Sequence, residues 1–407
     1  MAVVSISRIQ VRRGTKNQGT GLPQLASGEF GWAIDTQELY IGNGSTSEGA
    51  PAVGNTKVLT ENTNILNLVG QYTYREDAVT GTVERTLAER LNDQVSIKAF
   101  AGSPAQKLQK AFYELYLLNN TIASTNTPIN TVDAPVLYIN PGEYVISETI
   151  YVPPYTTIIG AGKDKTVLRK TGDFDMFRTI SSESTYTGEI ASAVEVFESS
   201  QENQARKIRF EHMTLEAVDT PAGNRSHLLL LENCRNSEFK NIRFIHRSPT
   251  SSSLVSDSQV GLGFISKSDA VNSNNNRFID CDFEGLKEAV YGPYTVKNNT
   301  FVRCTFNELQ RGIILGGTDV SVDGAQNNVV SACEFENVRE HAILMPVGKG
   351  NKSQNNRYGL NVSSDGGADP AYPIVSYGES GNFSIDDTFE RTYNQAVVRN
   401  NTKYYPE

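Results

Sequence analysis

Histidine, cysteine and tryptophan are scarce, with four, four and one in 407 residues. His212, His227, His246 and His341 stand at no ligand spacing from any cysteine, so neither a metal nor a cofactor is expected. No Gly-x-Ser-x-Gly turn offers them a nucleophile, and His246 and His341 read as exposed edge residues. No run approaches 18 apolar residues, so no membrane insertion is expected. Positive charge is also thin. The net charge is −9, and the largest basic cluster is Arg8, Arg12 and Arg13. That excludes nucleic acid as a partner, because phosphate contacts need many clustered cations. Met1 to Ser5 lack the charged start and apolar core of a secretion signal. The expectation is a protein folded in the cytoplasm that leaves it by another route.

What the chain does have is a repeat. Five triplets share one spacing: Phe210-Met213-Leu215, Phe239-Ile242-Phe244, Phe278-Cys281-Phe283, Phe301-Cys304-Phe306 and Val330-Cys333-Phe335. Their first members lie 29, 39, 23 and 29 residues apart. A period with tolerated insertions marks a solenoid, in which each repeat buries its apolar face by stacking on the next. The predicted fold is mainly β, a right-handed parallel β-helix wound from a single chain. Cys281, Cys304 and Cys333 hold one repeat position and read as reduced core residues.

Residues between the inward positions should point outward. Stacking then places Arg243, Asp282 and Thr305 in one column, and Asn241, Asp280 and Arg303 in another. Such pairs contribute a few tenths to about 1 kcal/mol and penalise a register slip. A second strand follows each triplet, with a small residue (Ala289, Gly312, Ala342) at a fixed place. Asn276, Asn299, Asn328 and Asn356 are expected to bond one another as a ladder of amides.

The remaining segments divide around this core. Residues 1–60 read as a compact β-domain with Trp32 in its core. Residues 61–102 read as a neck whose helix at 85–93 puts Leu87 and Leu91 on one face. Residues 103–128 hold a capping helix, with Ser103 as N-cap, Pro104 in the first turn, and Leu108, Ala111, Phe112, Leu115 and Tyr116 at helical spacing. The β-helix proper spans 129–358, with polar surface loops at 181–205, 249–259, 318–327 and 346–356. The ladder fades after 358, and 359–407 reads as a tyrosine-rich cap or partner-contact segment.

Candidate catalytic groups are few. Asp282 and Glu334 fall in one column two coils apart, about 9.6 Å by strand spacing, near the upper limit for an inverting carboxylate pair. Alternation with Arg243 and Arg303 explains the same residues as a solvated ladder, the favoured reading. Asp319, with Asp323, sits in a Gly-rich loop that a turn alone would explain. Asp386 and Asp387, near Glu390, read as an exposed loop. No catalytic residue is therefore assigned. Tyr291 and Tyr294 remain for shallow sugar recognition.

Three regions resemble known families. Arg8–Thr15, Leu25–Gly31 and Leu39–Gly44 resemble the N-terminal domain of the phage major tropism determinant and many tail-fibre proteins. Val95–Gly102 resembles the junction before the β-helix of phage tailspikes, with Ala99 and Ala101 where that family carries an acidic residue and a glycine. The Pro141-Gly142-x-Tyr144 and Gly160-Ala161-Gly162 turns resemble the first coils of pectate-lyase-like β-helices. The resemblance implies a homotrimeric tail-fibre, tailspike or baseplate appendage of a tailed phage. Its first domain would attach to other tail or baseplate proteins. The rod would display loops to a host surface glycan, and lysis would release the virion. A depolymerase that hydrolyses or eliminates surface polysaccharide, and an adaptor docking another fibre through 359–407, are the alternatives.

Overall fold

The computed structural model describes residues 11–16, 23–48, 53–58, 73–74, 85–86, 94–123, 136–179, 205–218, 225–246, 259–266, 272–316, 324–359, 362, 375–378, 381–390, 397–399 and 402–404. The chain forms two units, Met1–Asn92 and Asp93–Glu407.

In the first unit, Phe30–Ala33 pairs in parallel with Arg12–Gly14 and antiparallel with Glu38–Gly42, which pairs antiparallel with Asn55–Val58. The small core is Leu25, Ala33 and Tyr40. Trp32 is half-buried rather than central, because strand alternation turns Gly31 and Ala33 inward instead. Glu38 binds Lys16 at 2.8 Å, Lys57 at 2.5 Å and the Tyr40 hydroxyl at 2.6 Å. Those partners hold its carboxyl far below the usual range. A Cβ at Gly42 would stand 2.1 Å from the Ala26 carbonyl, so the turn at 25–26 requires glycine there.

The predicted neck helix is corrected at its start. Arg85–Thr86 is a strand paired antiparallel with Thr73–Tyr74, which suits β-branched Thr73 and Thr86. Leu87 and Leu91 lie outside the described residues.

The second unit is the solenoid, and it begins earlier than expected. Gln94–Ser96, inside the segment assigned to the neck, pairs in parallel with Val136–Ile139. In the helix Pro104–Ala123, Ser103 and Gln106 form a reciprocal cap, each backbone N–H donating to the other side chain at 3.1 and 3.2 Å. Leu108, Ala111, Phe112 and Leu115 are buried against the first coil. Gln109 donates to the Tyr151 carbonyl at 3.1 Å and accepts from its N–H at 2.8 Å.

A middle coil shows the plan: Val296–Lys297, Thr300–Val302, Thr305–Leu309 and Arg311–Leu315 in succession. Each strand pairs in parallel with its counterparts in the neighbouring coils. Connections between parallel strands wind right-handed, and the unit is a parallel β-helix. The triplet segment is two strands from Phe278 onward. A left-handed corner separates them, with φ of 55° at Asp280, 51° at Arg303 and 52° at Ala332. Asn and Asp tolerate that conformation at low cost, whereas Arg303 and Ala332 are held in it by the pairing on either side.

All fifteen triplet side chains are at most 2% exposed. The third members align as Phe244, Phe283, Phe306, Phe335, Tyr358 and Phe389. Their rings stack 4.5 to 5.1 Å apart, tilted by 14° or less. Four cysteines are free and buried. The Cys304 N–H donates to Cys333 Sγ at 3.4 Å. Burial pushes the Cys281 and Cys304 thiols well up, and that of Cys234 up to about 12.

The solenoid continues beyond its expected end. Val375–Tyr377, Phe383–Ile385, Thr388–Phe389 and Val397–Arg399 add another coil beyond 358, and Thr402–Tyr404 closes antiparallel on the last of them. The stretch 346–356, expected as a surface loop, contains the strand Lys352–Gln354, with Asn351, Ser353 and Asn356 buried. Ala325–Gln326, in the loop expected at 318–327, is likewise a strand. The apolar pattern fades there because polar residues enter the interior: Ser353 and Ser384 follow Val330 in register. The amide ladder runs Asn276, Asn299, Asn328, Asn351 and Asn382. Asn356 instead follows Cys333 in the cysteine column, accepting its N–H at 2.8 Å.

Candidate functional site

The outward face of the Thr305–Leu309 run carries two adjacent columns. One reads Arg243, Asp282, Thr305, Glu334, Arg357; the other reads Ile245, Glu284, Asn307, Glu336. Strand alternation produces both, because Phe283, Phe306 and Phe335 point inward between them. With Asn337, all of them except Ile245 and Arg357 line a groove of about 480 Å³.

Asp282 is held from three sides. Lys163 Nζ donates to it at 2.7 Å, Thr305 Oγ1 donates at 2.9 Å, and Arg243 Nε lies 3.7 Å away. Lys163 comes from the Gly160-Ala161-Gly162 turn, where a Cβ on Gly160 would meet the His212 carbonyl at 2.4 Å. Lys163 also donates to the Asp280 carbonyl at 2.8 Å. Arg243 Nη1 donates to Asp164 at 2.9 Å. Glu334 stands two coils along the column, paired with Arg357.

Arg357 is divided among Glu334, Glu336 at 3.2 Å and Glu390 at 2.6 Å. A cation shared three ways does not offset the burial of Glu336. Burial, and then the charge of Glu390, raise its carboxyl above the ordinary value. Glu284 makes no ion pair among the described residues. Beside the groove, Arg303 holds Asp280 through two bonds of 2.7 and 3.1 Å and draws its carboxyl down.

Asp282 and Glu334 thus share the groove, whereas Asp319 and Asp323 lie outside the described residues. Asp386 is exposed at a left-handed corner. Asp387 turns inward instead of lying in an open loop, because it occupies the cysteine column: the Asn356 N–H donates to it at 2.8 Å and the Ser384 hydroxyl at 2.6 Å. His246 is corrected from exposed to buried, at 3%, where it ends the strand Glu238–His246 under Gly285. His341 is half-buried. His227 packs on Asp175, Nδ1 to Oδ1 2.8 Å, and His212 Nδ1 lies 2.6 Å from Asn241 Nδ2. Arg225 covers the Tyr291 ring at 3.9 Å, while Tyr294 is exposed. Among the described residues no group of three or more His, Cys, Asp or Glu is placed to hold a metal ion.

The sequence reading missed Glu284, Glu336 and Lys163. The first two were signalled by the patterns Asp282-Phe283-Glu284 and Glu334-Phe335-Glu336, where each inward ring has an acid on both sides. Lys163 had no signal, since it arrives from 119 residues earlier in the chain.

Residues 107–340 match the family described as rhamnogalacturonase A/epimerase, pectate lyase-like. The chain belongs to that family. Ahead of this pectate-lyase-like region, residues 9–46 match the major tropism determinant N-terminal domain. No curated protein matches the chain. Solved structures similar to it include a tailspike protein mutant of E. coli bacteriophage HK620 in complex with a pentasaccharide. That pair shows 12% identity and a TM-score of 0.43, over 81% of this chain and 60% of that one. Bacteriophage CBA120 tailspike protein 3 shows 16% identity and a TM-score of 0.44, over 91% and 60%. The N-terminal fragment of bacteriophage Phi29 gene product 12 shows 13% and 0.43, over 75% and 56%. The chain spans about 60% of the length of the HK620 tailspike chain. Among the described residues no helix is long and apolar enough to cross a membrane.

Proposed function

We propose that this chain is a structural and adhesive component of a tailed-phage virion. In this reading it is a homotrimer attached to the tail or baseplate through residues 1–60, with the β-helix as a stiff rod that contacts host surface glycan. The observation that carries the reading is the match of residues 9–46 to the major tropism determinant N-terminal domain, in one chain with a β-helix. Light scattering of the full chain tests assembly: a mass three times 44.7 kDa is expected, and a monomer contradicts the trimer. Deleting residues 1–60 should abolish incorporation into particles while leaving the β-helix folded by circular dichroism.

A second reading, hydrolysis of that glycan, is favoured by the groove and its carboxylates. Asp282 and Glu334 are both tied to cations, which suits a structural ladder. Glu284 and Glu336 share a column with Asn307 between them, about 9.6 Å apart by strand spacing. Glu336, with its raised carboxyl, would give a proton to the glycosidic oxygen. Glu284 would take one from the water that attacks the anomeric carbon, so that one C–O bond breaks as another forms. Release of reducing ends from surface polysaccharide, lost in Glu336→Gln and kept in Asp282→Asn, is the expected result. Loss in Asp282→Asn or Glu334→Gln with Glu336→Gln active would return the role to the first pair.

A further inference from the structure

From the charge of the groove we infer that its ligand is a glycan without carboxylates, neutral or amino-substituted, rather than a uronate or sialate polymer. The inference rests on the reading of the groove as the glycan contact and narrows it. Four carboxylates line the cavity, from Asp282, Glu284, Glu334 and Glu336, against one cation, Arg243. The cations nearby are committed. Lys163 is spent on Asp282, Arg243 Nη1 on Asp164, and Arg357 on three glutamates.

A uronate seated here would bring a further negative charge to within a few ångströms of this acidic lining, with no uncommitted cation among the described residues to meet it. One such contact weakens binding by roughly tenfold or more at a partly desolvated site. Elimination chemistry is disfavoured on the same ground, since it requires a uronate whose carboxylate is neutralised while the neighbouring proton is removed. Sugar hydroxyls suit the lining well. They donate to carboxylates, and they both donate to and accept from the Asn307 and Asn337 amides. An amino sugar would add a favourable charge.

The test is an array of defined bacterial surface glycans probed with the full chain, its signals sorted by the presence of uronic or sialic acid. Signals confined to carboxylate-free glycans are expected. Charge reversal at Glu284→Lys, a residue with no ion pair to lose among the described residues, should weaken those signals about tenfold for amino sugars and admit carboxylated glycans. Signals from uronate glycans with the unmodified chain would overturn the inference while leaving the glycan-contact reading in place. Carboxylate-free signals that Glu284→Lys leaves unmoved would overturn it too, by placing binding elsewhere. An array blank throughout would remove the glycan-contact reading and the inference together.

Discussion

Asn328 Oδ1 accepts two hydrogen bonds from Asn299, one from its backbone N–H at 3.0 Å and one from Nδ2 at 3.2 Å. Asn299 Oδ1 in turn accepts the same pair from Asn276, each at 3.0 Å. The amide thus acts as an acceptor for a corner N–H that turns away from strand pairing. Both residues are fully buried, so no water replaces a lost bond. Asn299→Ala leaves the Asn276 N–H and Nδ2 without this acceptor. At about 1–3 kcal/mol for each unmade buried bond, a loss of roughly 3 kcal/mol is expected from denaturant midpoints. An unchanged midpoint would show that the ladder is incidental.

A second buried polar element sits at another corner. Glu288 is fully buried, bound by Arg225 at 2.8 and 3.1 Å and by Arg311 at 3.0 Å; Arg311 continues to Glu340 at 2.5 Å. Removing the acid leaves Arg225 without its carboxylate, and Arg311 with Glu340 alone, in a partly dry site. Glu288→Ala is expected to cost about 3–5 kcal/mol. The double variant Glu288→Met with Arg225→Met should recover much of that loss, because Arg311 keeps Glu340 and an apolar pair needs no charge compensation. A double variant no more stable than Glu288→Ala would argue against charge burial as the cause.

The ring column gives a simpler expectation. Phe306 stacks on Phe283 at 5.0 Å and on Phe335 at 4.5 Å, and it has no exposed surface. Phe306→Ala leaves a cavity that backbone pairing on both sides prevents from collapsing, at a cost of about 3–5 kcal/mol. Phe306→Leu should lose less than half of that. Equal losses would point to strand pairing rather than ring volume as the sensitive element.

These elements differ in how visibly the sequence announces them. Phe278, Cys281 and Phe283 were legible because burial selects for side-chain type, and strand alternation spaces the inward residues. The corner between them was not, because Asp280, Arg303 and Ala332 share a backbone angle and no side-chain chemistry. The last coil was missed for the opposite reason: its backbone register persists while Ser384 and Asp387 replace apolar side chains at inward positions. In the groove, Asp282 and Glu334 were found through their column. Glu284 and Glu336, two positions on from them, were not legible because an acid beside an inward ring is equally what a solvated strand face carries.

Asp387 makes stability depend on pH in a direction opposite to that of most carboxylates. Burial raises its carboxyl, and hydrogen bonds from Ser353, Ser384 and Asn356 only partly counter that. The folded chain therefore holds this proton at pH values where the unfolded chain has released it. Stability falls as pH rises from the unfolded value through the folded one, and the loss is complete above the latter. Asp175 works the other way: His227 draws its carboxyl down against the opposing effect of burial, so its contribution is present at neutral pH and lost on acidification. Asp387→Asn keeps an acceptor for the Asn356 N–H and removes the charge. It should leave the melting temperature near pH 4 unchanged and raise it by about 2 °C at neutral pH. Melting curves of the two proteins that stay parallel from pH 4 to 7 would mean that the carboxyl is ionised without cost and that the cysteine column ends in solvent.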